Sequence, residues 1–198
     1  IKGSGSNKTL TPDSTAGVGY ELGGYYGSAM TSNASGGFSF TNSDFAFGTG
    51  DFTFEGWIYI SADTSNIRSI FDTRTTDNAS TGIFFGINTN DQLYTYGFPS
   101  GTGVVEYGAP AINQWHHVAV ERNGSIGTVY LNGAAVGTSD VSGANYTQSG
   151  GTLLRPASVF GTSHHFEGHV QDFRVYKGVA KYKGGFDVPK PYTAVNFL

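Results

Sequence analysis

Four glutamates fall within strand-like stretches of the chain: Glu55, Glu106, Glu121 and Glu167. Two carboxylates about 5 Å apart would suit retaining glycoside hydrolysis, one acting as acid and one as nucleophile. Here each glutamate is the lone acid of its own stretch, so a pair has to form between strands if it forms at all. There is no Gly-x-Ser-x-Gly nucleophile elbow and no phosphate-binding loop. Ser163 stands beside His164 and His165, which an ordinary polar loop explains more simply than a triad does. His164, His165 and His169 resemble a metal cluster by count, yet strand alternation would scatter them, and no His-Glu-x-x-His helix is present. His116 and His117 are neighbours in an extended run, so they point to opposite faces and read as structural residues. The balance of these residues points away from an enzyme.

Carbohydrate recognition is better served. Aromatic rings with polar edges stack on the apolar faces of sugars. Trp57, Tyr59, Tyr94 and Tyr96 offer such rings, although Trp57 and Trp115 also read as packing residues. Arg68, Asp72, Arg74 and Asn88 offer polar contacts. The expected ligand-binding set is Arg68, Asp72, Arg74, Asp77, Asn78, Tyr94 and Tyr96. Its Asp72/Arg74/Asp77/Asn78 portion is oxygen-rich, which suits either a hard cation or a solvated loop. Loop tips at 63–66, 74–80, 96–103 and 142–146 are further places for recognition.

These residues are carried by short apolar runs separated by turn chemistry. The segment from Phe52 to Ile60 alternates, with Phe52, Phe54, Ile58 and Ile60 on one face and Glu55, Trp57 and Tyr59 on the other. Further strands are expected over 28–31, 37–41, 67–73, 82–88, 92–97, 104–107, 115–122, 127–132, 134–138, 158–161 and 168–176. Asn132-Gly133 is a strong hairpin signal, because both central residues of that turn need positive φ. Gly178–Tyr182 reads as one short helical turn. Residues 1–24 read as a linker or irregular arm, 25–190 as one domain and 191–198 as a C-terminal strap. The fold class is all-β, a two-sheet antiparallel jelly-roll sandwich.

Composition agrees. Of 198 residues 30 are Gly and 15% are aromatic, but only 13% are charged, about half the roughly 25% of an average domain. A net charge of -4 gives no means of collecting counterion-release energy from a phosphate backbone, so nucleic acid is not an expected partner. No apolar run approaches the roughly 18 residues of a membrane span, so no membrane insertion is expected. With no cysteine there is no disulfide and no thiolate chemistry. No signal peptide is visible, and the start at Ile1 reads as a fragment or processed product.

Three blocks carry a family resemblance. They are Phe47-Gly-Thr-Gly-Asp-Phe-Thr-Phe-Glu-Gly-Trp-Ile58, then Asn113-Gln-Trp-His-His-Val-Ala-Val-Glu-Arg122 with Gly127-Thr-Val-Tyr-Leu-Asn-Gly133, and Phe166-Glu-Gly-His-Val-Gln-Asp-Phe-Arg-Val-Tyr176. In order and spacing they resemble the laminin-G-like or pentraxin-like branch of the concanavalin A-like lectin/glucanase jelly rolls. The tail Arg174–Tyr182 is similar to a variant found in phage virion proteins. The resemblance implies one concave and one convex sheet, and often a bound Ca2+. Asp172 matches the second Asp of the family's Ile-Asp-Asp-Val-Arg pattern and is the expected metal residue, while Gln171 replaces the first. Glucanases of this fold usually carry Glu-x-Asp-x-x-Glu on one strand, which is absent here.

The resulting expectation is a non-catalytic module displayed outside a cell or on a virion, as part of a tail fibre, appendage or capsid decoration. Its partners would be a glycan or cell-surface receptor, other virion or fibre subunits, and further copies of the chain as a homo-oligomer. The alternatives are a purely structural decoration or assembly domain, and a glycoside hydrolase with an atypical acid pair.

Overall fold

The structure is a computed structural model, and it describes residues 11–12, 30–32, 38–62, 66–75, 81–98, 105–147, 153–156, 164 and 166–188. In chain order the strands are β1 (Thr11–Pro12), β2 (Met30–Ser32), β3 (Phe38–Thr41), β4 (Phe52–Ile60), β5 (Arg68–Asp72), β6 (Phe84–Ile87) and β7 (Leu93–Tyr96). They continue with β8 (Val105–Glu106), β9 (Trp115–Asn123), β10 (Ile126–Leu131), β11 (Ala134–Asp140), β12 (Leu153–Pro156) and β13 (Gly168–Lys177). A 3-10 turn, Ser43–Phe45, is capped by the Asn42 side chain, which accepts the Asp44 N–H at 2.9 Å.

The described strands form two antiparallel sheets. One has seven strands in the order β1-β3-β12-β5-β6-β7-β8, and the other has six in the order β11-β10-β9-β4-β13-β2. Neighbours distant in sequence are therefore adjacent in space, as a jelly roll requires. The core lies between the sheets. Phe52, Phe54, Ile58 and Ile60 of β4 enter it together with Val118 and Val120 of β9, facing Ile70, Phe71, Phe85, Ile87 and Leu93 of the other sheet. The alternation read from Phe52 to Ile60 is thus the true division of faces. Phe54 and Phe71 stack across the gap with ring centres 4.3 Å apart.

Two irregularities set the faces of nearby residues. A bulge between Ser69 and Phe71 puts both Ile70 and Phe71 into the core. A second bulge lies between Gln171 and Arg174 of β13. It turns Phe173 toward the core, where a Cβ on Gly56 would stand only 3.2 Å from the Phe173 ring. Extra residues of this kind break the two-residue period.

Most predicted strands appear within two residues of their expected bounds. The hairpin turn has Asn132 at φ 51 and Gly133 at φ 82, as its sequence demands. The Gly178–Tyr182 helical turn does not form; after Gly178 the chain is an irregular strap with a bend at Lys183 and Gly184. Its side chains and N–H groups bond sideways into the six-stranded sheet instead of along their own backbone. The strand expected over 158–161, the region 191–198 and most of residues 1–24 lie outside the described residues. Of the arm, Thr11 and Pro12 pair with Ser39 and Phe38.

Candidate functional site

The outward face of the six-stranded sheet is built in rows by strand register. His169, Tyr59 and Trp115 stand side by side across β13, β4 and β9, and Gln171, Trp57 and His117 form the adjacent row. All three members of the first row are half-buried. Their ring centres are 5.6 Å apart for Tyr59 and Trp115, 5.4 Å for Tyr59 and His169, and 6.3 Å for Trp115 and His169. Strands lie about 4.8 Å apart, so rings standing straight up on β13 and β9 would be about 10 Å from each other. The outer two therefore lean inward, and the three make one compact aromatic platform.

The second row is closed. Trp57 and His117 are 4% and 2% exposed and meet edge-to-face at 5.3 Å. Phe186 lies across His117 at 5.5 Å. Burial, then the charges of Lys181 and Arg174, push the His117 imidazole down to about 4. Its Nε2 is 3.9 Å from Glu55, but a neutral ring there makes no ion pair. His116 faces the core side opposite Ile58. Its Nε2 is 2.9 Å from the Ala111 carbonyl and its Nδ1 is 3.0 Å from the Asn132 amide. Both histidines are structural, as the sequence suggests.

Beyond that row two buried glutamates hold the strap 178–188 onto the sheet. Glu121 accepts the N–H groups of Tyr182 (2.6 Å) and Lys183 (2.8 Å), the Thr53 hydroxyl (3.1 Å) and the Tyr130 hydroxyl (3.2 Å). Burial and then the Glu121 charge raise the Tyr130 phenol. Glu55 receives Lys181 Nζ at 2.6 and 2.8 Å, the Tyr176 hydroxyl at 3.2 Å and the Tyr182 hydroxyl. The strap then passes over the hairpin turn, where Phe186 N–H bonds the Gly133 carbonyl at 2.9 Å. A Cβ on Gly133 would sit 2.1 Å from the Phe186 oxygen, so this turn needs glycine for contact as well as for φ. Glu55 and Glu121 do lie on one face of adjacent strands, the cross-strand arrangement an atypical acid pair would need. Their oxygens, however, are engaged by the strap.

The expected binding residues fall in three places. Asp72, Arg74, Tyr94 and Tyr96 come together on the outward side of the seven-stranded sheet. Asp72 receives the Arg74 guanidinium at 3.0 and 3.1 Å and its N–H at 2.8 Å. That guanidinium stacks over Phe84 at 4.8 Å and Tyr96 at 5.3 Å. Asp72, Arg74 and Tyr94 are buried, and only Tyr96 is half-buried. Burial raises the Tyr94 phenol far above its ordinary value. Arg68 stands apart, opposite Ile87 on the core side. It donates to the Ala62 carbonyl at 2.7 Å and pairs with Asp91, tying the end of β5 to the chain leaving β4. Asn88 organises its own turn by accepting the N–H groups of Asn90 and Gln92. Asp77 and Asn78 lie outside the described residues.

Asp172 sits on the β13 bulge at φ 51, and both its oxygens accept from Arg174, at 2.8 and 2.6 Å. Ca2+ needs six to eight oxygen ligands. No group of three or more His, Cys, Asp or Glu that could hold a metal gathers among the described residues. The described surroundings of Asp172 therefore do not fit a calcium cage. No helix among the described residues is long and apolar enough to cross a membrane. A shallow cleft of about 440 Å³ opens beside β11, lined by Ser125, Ile126, Thr138, Ser139, Asp140 and Ser142, and it holds no aromatic ring.

Alternation in the sequence places Tyr59 on the outward face but does not join it to Trp115 and His169. Trp115 is expected to pack the sandwich, whereas it is half-buried on the outer surface. The signal available is parity: Trp115 and His117 share a face, as do Tyr59 and Trp57.

Two antiparallel sheets enclosing an aromatic core, with a ring platform outside and no open acid pair among the described residues, define a lectin-like jelly roll. The family model described as the concanavalin A-like lectin/glucanases superfamily matches residues 32–181, and the chain belongs to that superfamily. No curated protein matches the chain.

Among solved structures it is similar to domain 4 of AbnA, a GH43 extracellular arabinanase from Geobacillus stearothermophilus, in complex with arabinotriose. That match has a TM-score of 0.65 and 15% identity, covering 88% of this chain and 84% of that one. It is also similar to the binding domain of Paraclostridial Mosquitocidal Protein 1, with TM-score 0.67 and 14% identity over 90% of this chain, and it spans 46% of that domain. The CBM40 of Ruminococcus gnavus IT-sialidase, bound to α2,3-sialyllactose, has TM-score 0.54 and 13% identity over 65% of this chain and 76% of that one. At these identities the likeness establishes the fold.

Proposed function

We propose that this chain is a non-catalytic carbohydrate-recognition module that binds glycan through the Tyr59–Trp115–His169 platform. The observation that carries this reading is a cluster of three half-buried rings in one row of a sheet face, beside which Trp57 is buried and the Tyr176 hydroxyl is tied to Glu55. Half-buried rings keep their edges fixed by packing while leaving a face for ligand, which suits stacking on sugar C–H groups. Domains of the same fold in complex with arabinotriose and with α2,3-sialyllactose support it. The binding domain of a mosquitocidal protein supports receptor recognition in the wider sense. The engagement of Glu55 and Glu121 by the strap supports a role without hydrolysis.

On the seven-stranded sheet, Tyr96 beside Arg74 is a secondary contact in this reading, with Asp72 and Phe84 holding Arg74 in place. Display on a virion or fibre, alongside other subunits or copies of the chain, rests on the resemblance of the tail Arg174–Tyr182 to virion-associated variants. A glycan array tests the function itself. Binding to one or more glycans, lost on Trp115→Ala, is the expected result; no binding to any glycan would overturn it.

A further inference from the structure

If the ring platform binds carbohydrate as proposed, its size and its rim also select the class of sugar. Three rings mutually within 5.4–6.3 Å cover an area close to one sugar ring, not an elongated groove. The next row toward the end of the sheet is polar. Ser61 N–H bonds the Glu167 carbonyl at 3.3 Å, in the register of the β4–β13 ladder, so that antiparallel pairing runs past the strand ends. By alternation Glu167 and Ser61 take the outward positions beside His169 and Tyr59. Ser61 is exposed and Glu167 is half-buried. A carboxylate accepts two hydroxyl protons side by side, and a hydroxyl both donates and accepts.

Among the described neighbours of this rim, the platform's own His169 apart, the charge is one-sided. In the neighbouring row His117 is held neutral. Farther along, Arg174 is bound to Asp172 and Lys181 to Glu55. Arg68 is on the core side and paired with Asp91. Glu167 therefore faces the ligand position with no guanidinium or ammonium among these neighbours to neutralise it. A ligand carboxylate there would meet a like charge and lose solvent for it.

From this we infer that the platform takes a single uncharged sugar unit, stacked on Tyr59 and Trp115 with vicinal hydroxyls donated to Glu167, and that it discriminates against sialylated or uronic glycans. Like-charge exclusion supplies the specificity, while the rings supply the affinity.

Titration calorimetry at low salt with lactose, arabinotriose, arabinohexaose and α2,3-sialyllactose tests this. The wild-type chain is expected to bind lactose or arabinotriose at least about tenfold tighter than sialyllactose, a gap near 1.4 kcal/mol. Arabinohexaose should gain less than about threefold over arabinotriose, because one unit fills the platform. Glu167→Gln should weaken the neutral ligands and narrow the preference, with its melting temperature unchanged. Equal or tighter binding of sialyllactose, a preference unmoved by Glu167→Gln, or a tenfold gain with the hexaose would overturn the inference while leaving glycan recognition intact. Absence of binding to all four ligands and to every glycan of an array would overturn the functional reading itself.

Discussion

Glu121, in the middle of the six-stranded sheet, accepts two consecutive backbone N–H groups, those of Tyr182 at 2.6 Å and Lys183 at 2.8 Å. A buried carboxylate thus does for the strap what a neighbouring strand does for a sheet edge. Its remaining acceptor capacity is taken by the hydroxyls of Thr53 and Tyr130. Four donors that would be costly to bury alone are satisfied by one side chain.

Glu121→Ala takes this acceptor from the Tyr182 and Lys183 amides, while the Thr53 hydroxyl keeps the Val179 carbonyl at 3.0 Å, and is expected to cost about 2–4 kcal/mol in chemical denaturation. Hydrogen exchange should rise over residues 178–188 before it rises in the core strands. A variant whose strap amides keep wild-type protection would show that packing of Tyr182 and Phe186, not Glu121, fixes this segment.

His117 gives the fold a defined acid sensitivity. Its ring sits at about 4 in the folded chain, against an ordinary 6.5 when unfolded. The unfolded chain therefore binds the extra proton between these values. The associated stability is complete above about pH 6.5, is lost as pH falls toward 4, and does not fall further below that. His117→Phe keeps a ring against Trp57 and Phe186 and removes the titration. Over pH 7 to 4 the wild type should lose up to about 3 kcal/mol more than the variant, at ~1.4 kcal/mol per pH unit. Parallel stability curves for the two would refute the assignment.

Arg174 occupies both oxygens of Asp172, the residue that the family pattern offers to calcium. Melting temperature is expected to be the same in EDTA and in millimolar Ca2+. A calcium-dependent rise that disappears in Asp172→Asn would instead make Asp172 a ligand, with Arg174 displaced.

The range of each interaction decides whether it is legible in the sequence. Phe52–Ile60 declares its two faces because alternation is local, and Asn132-Gly133 declares its turn because positive φ is a property of single residues. The bulges at Ser69–Phe71 and Gln171–Arg174 carry no such local mark. The first leaves Arg68 on the core side, so its charge ties two chain segments together at the end of the sandwich. The second sets Asp172 outside the regular ladder. The Gly178–Tyr182 segment looks helical in isolation because its helix-blocking partners, Thr53 and Glu121, are more than 60 residues away. Trp115 resembles a core residue in the sequence because its exposure depends on its row, which only pairing with Tyr59 reveals.

The same row decides the central claim. Titration of arabinotriose and lactose into the wild type, Trp115→Ala and Tyr59→Ala, each checked by thermal melting, measures it most directly. Because both rings are half-buried, each variant should remain folded, with a loss well below the ~3–5 kcal/mol of a core aromatic. Binding should weaken about tenfold or more in each, roughly 1.4 kcal/mol. Unchanged affinity in folded Trp115→Ala and Tyr59→Ala chains would contradict the account and move recognition away from this face.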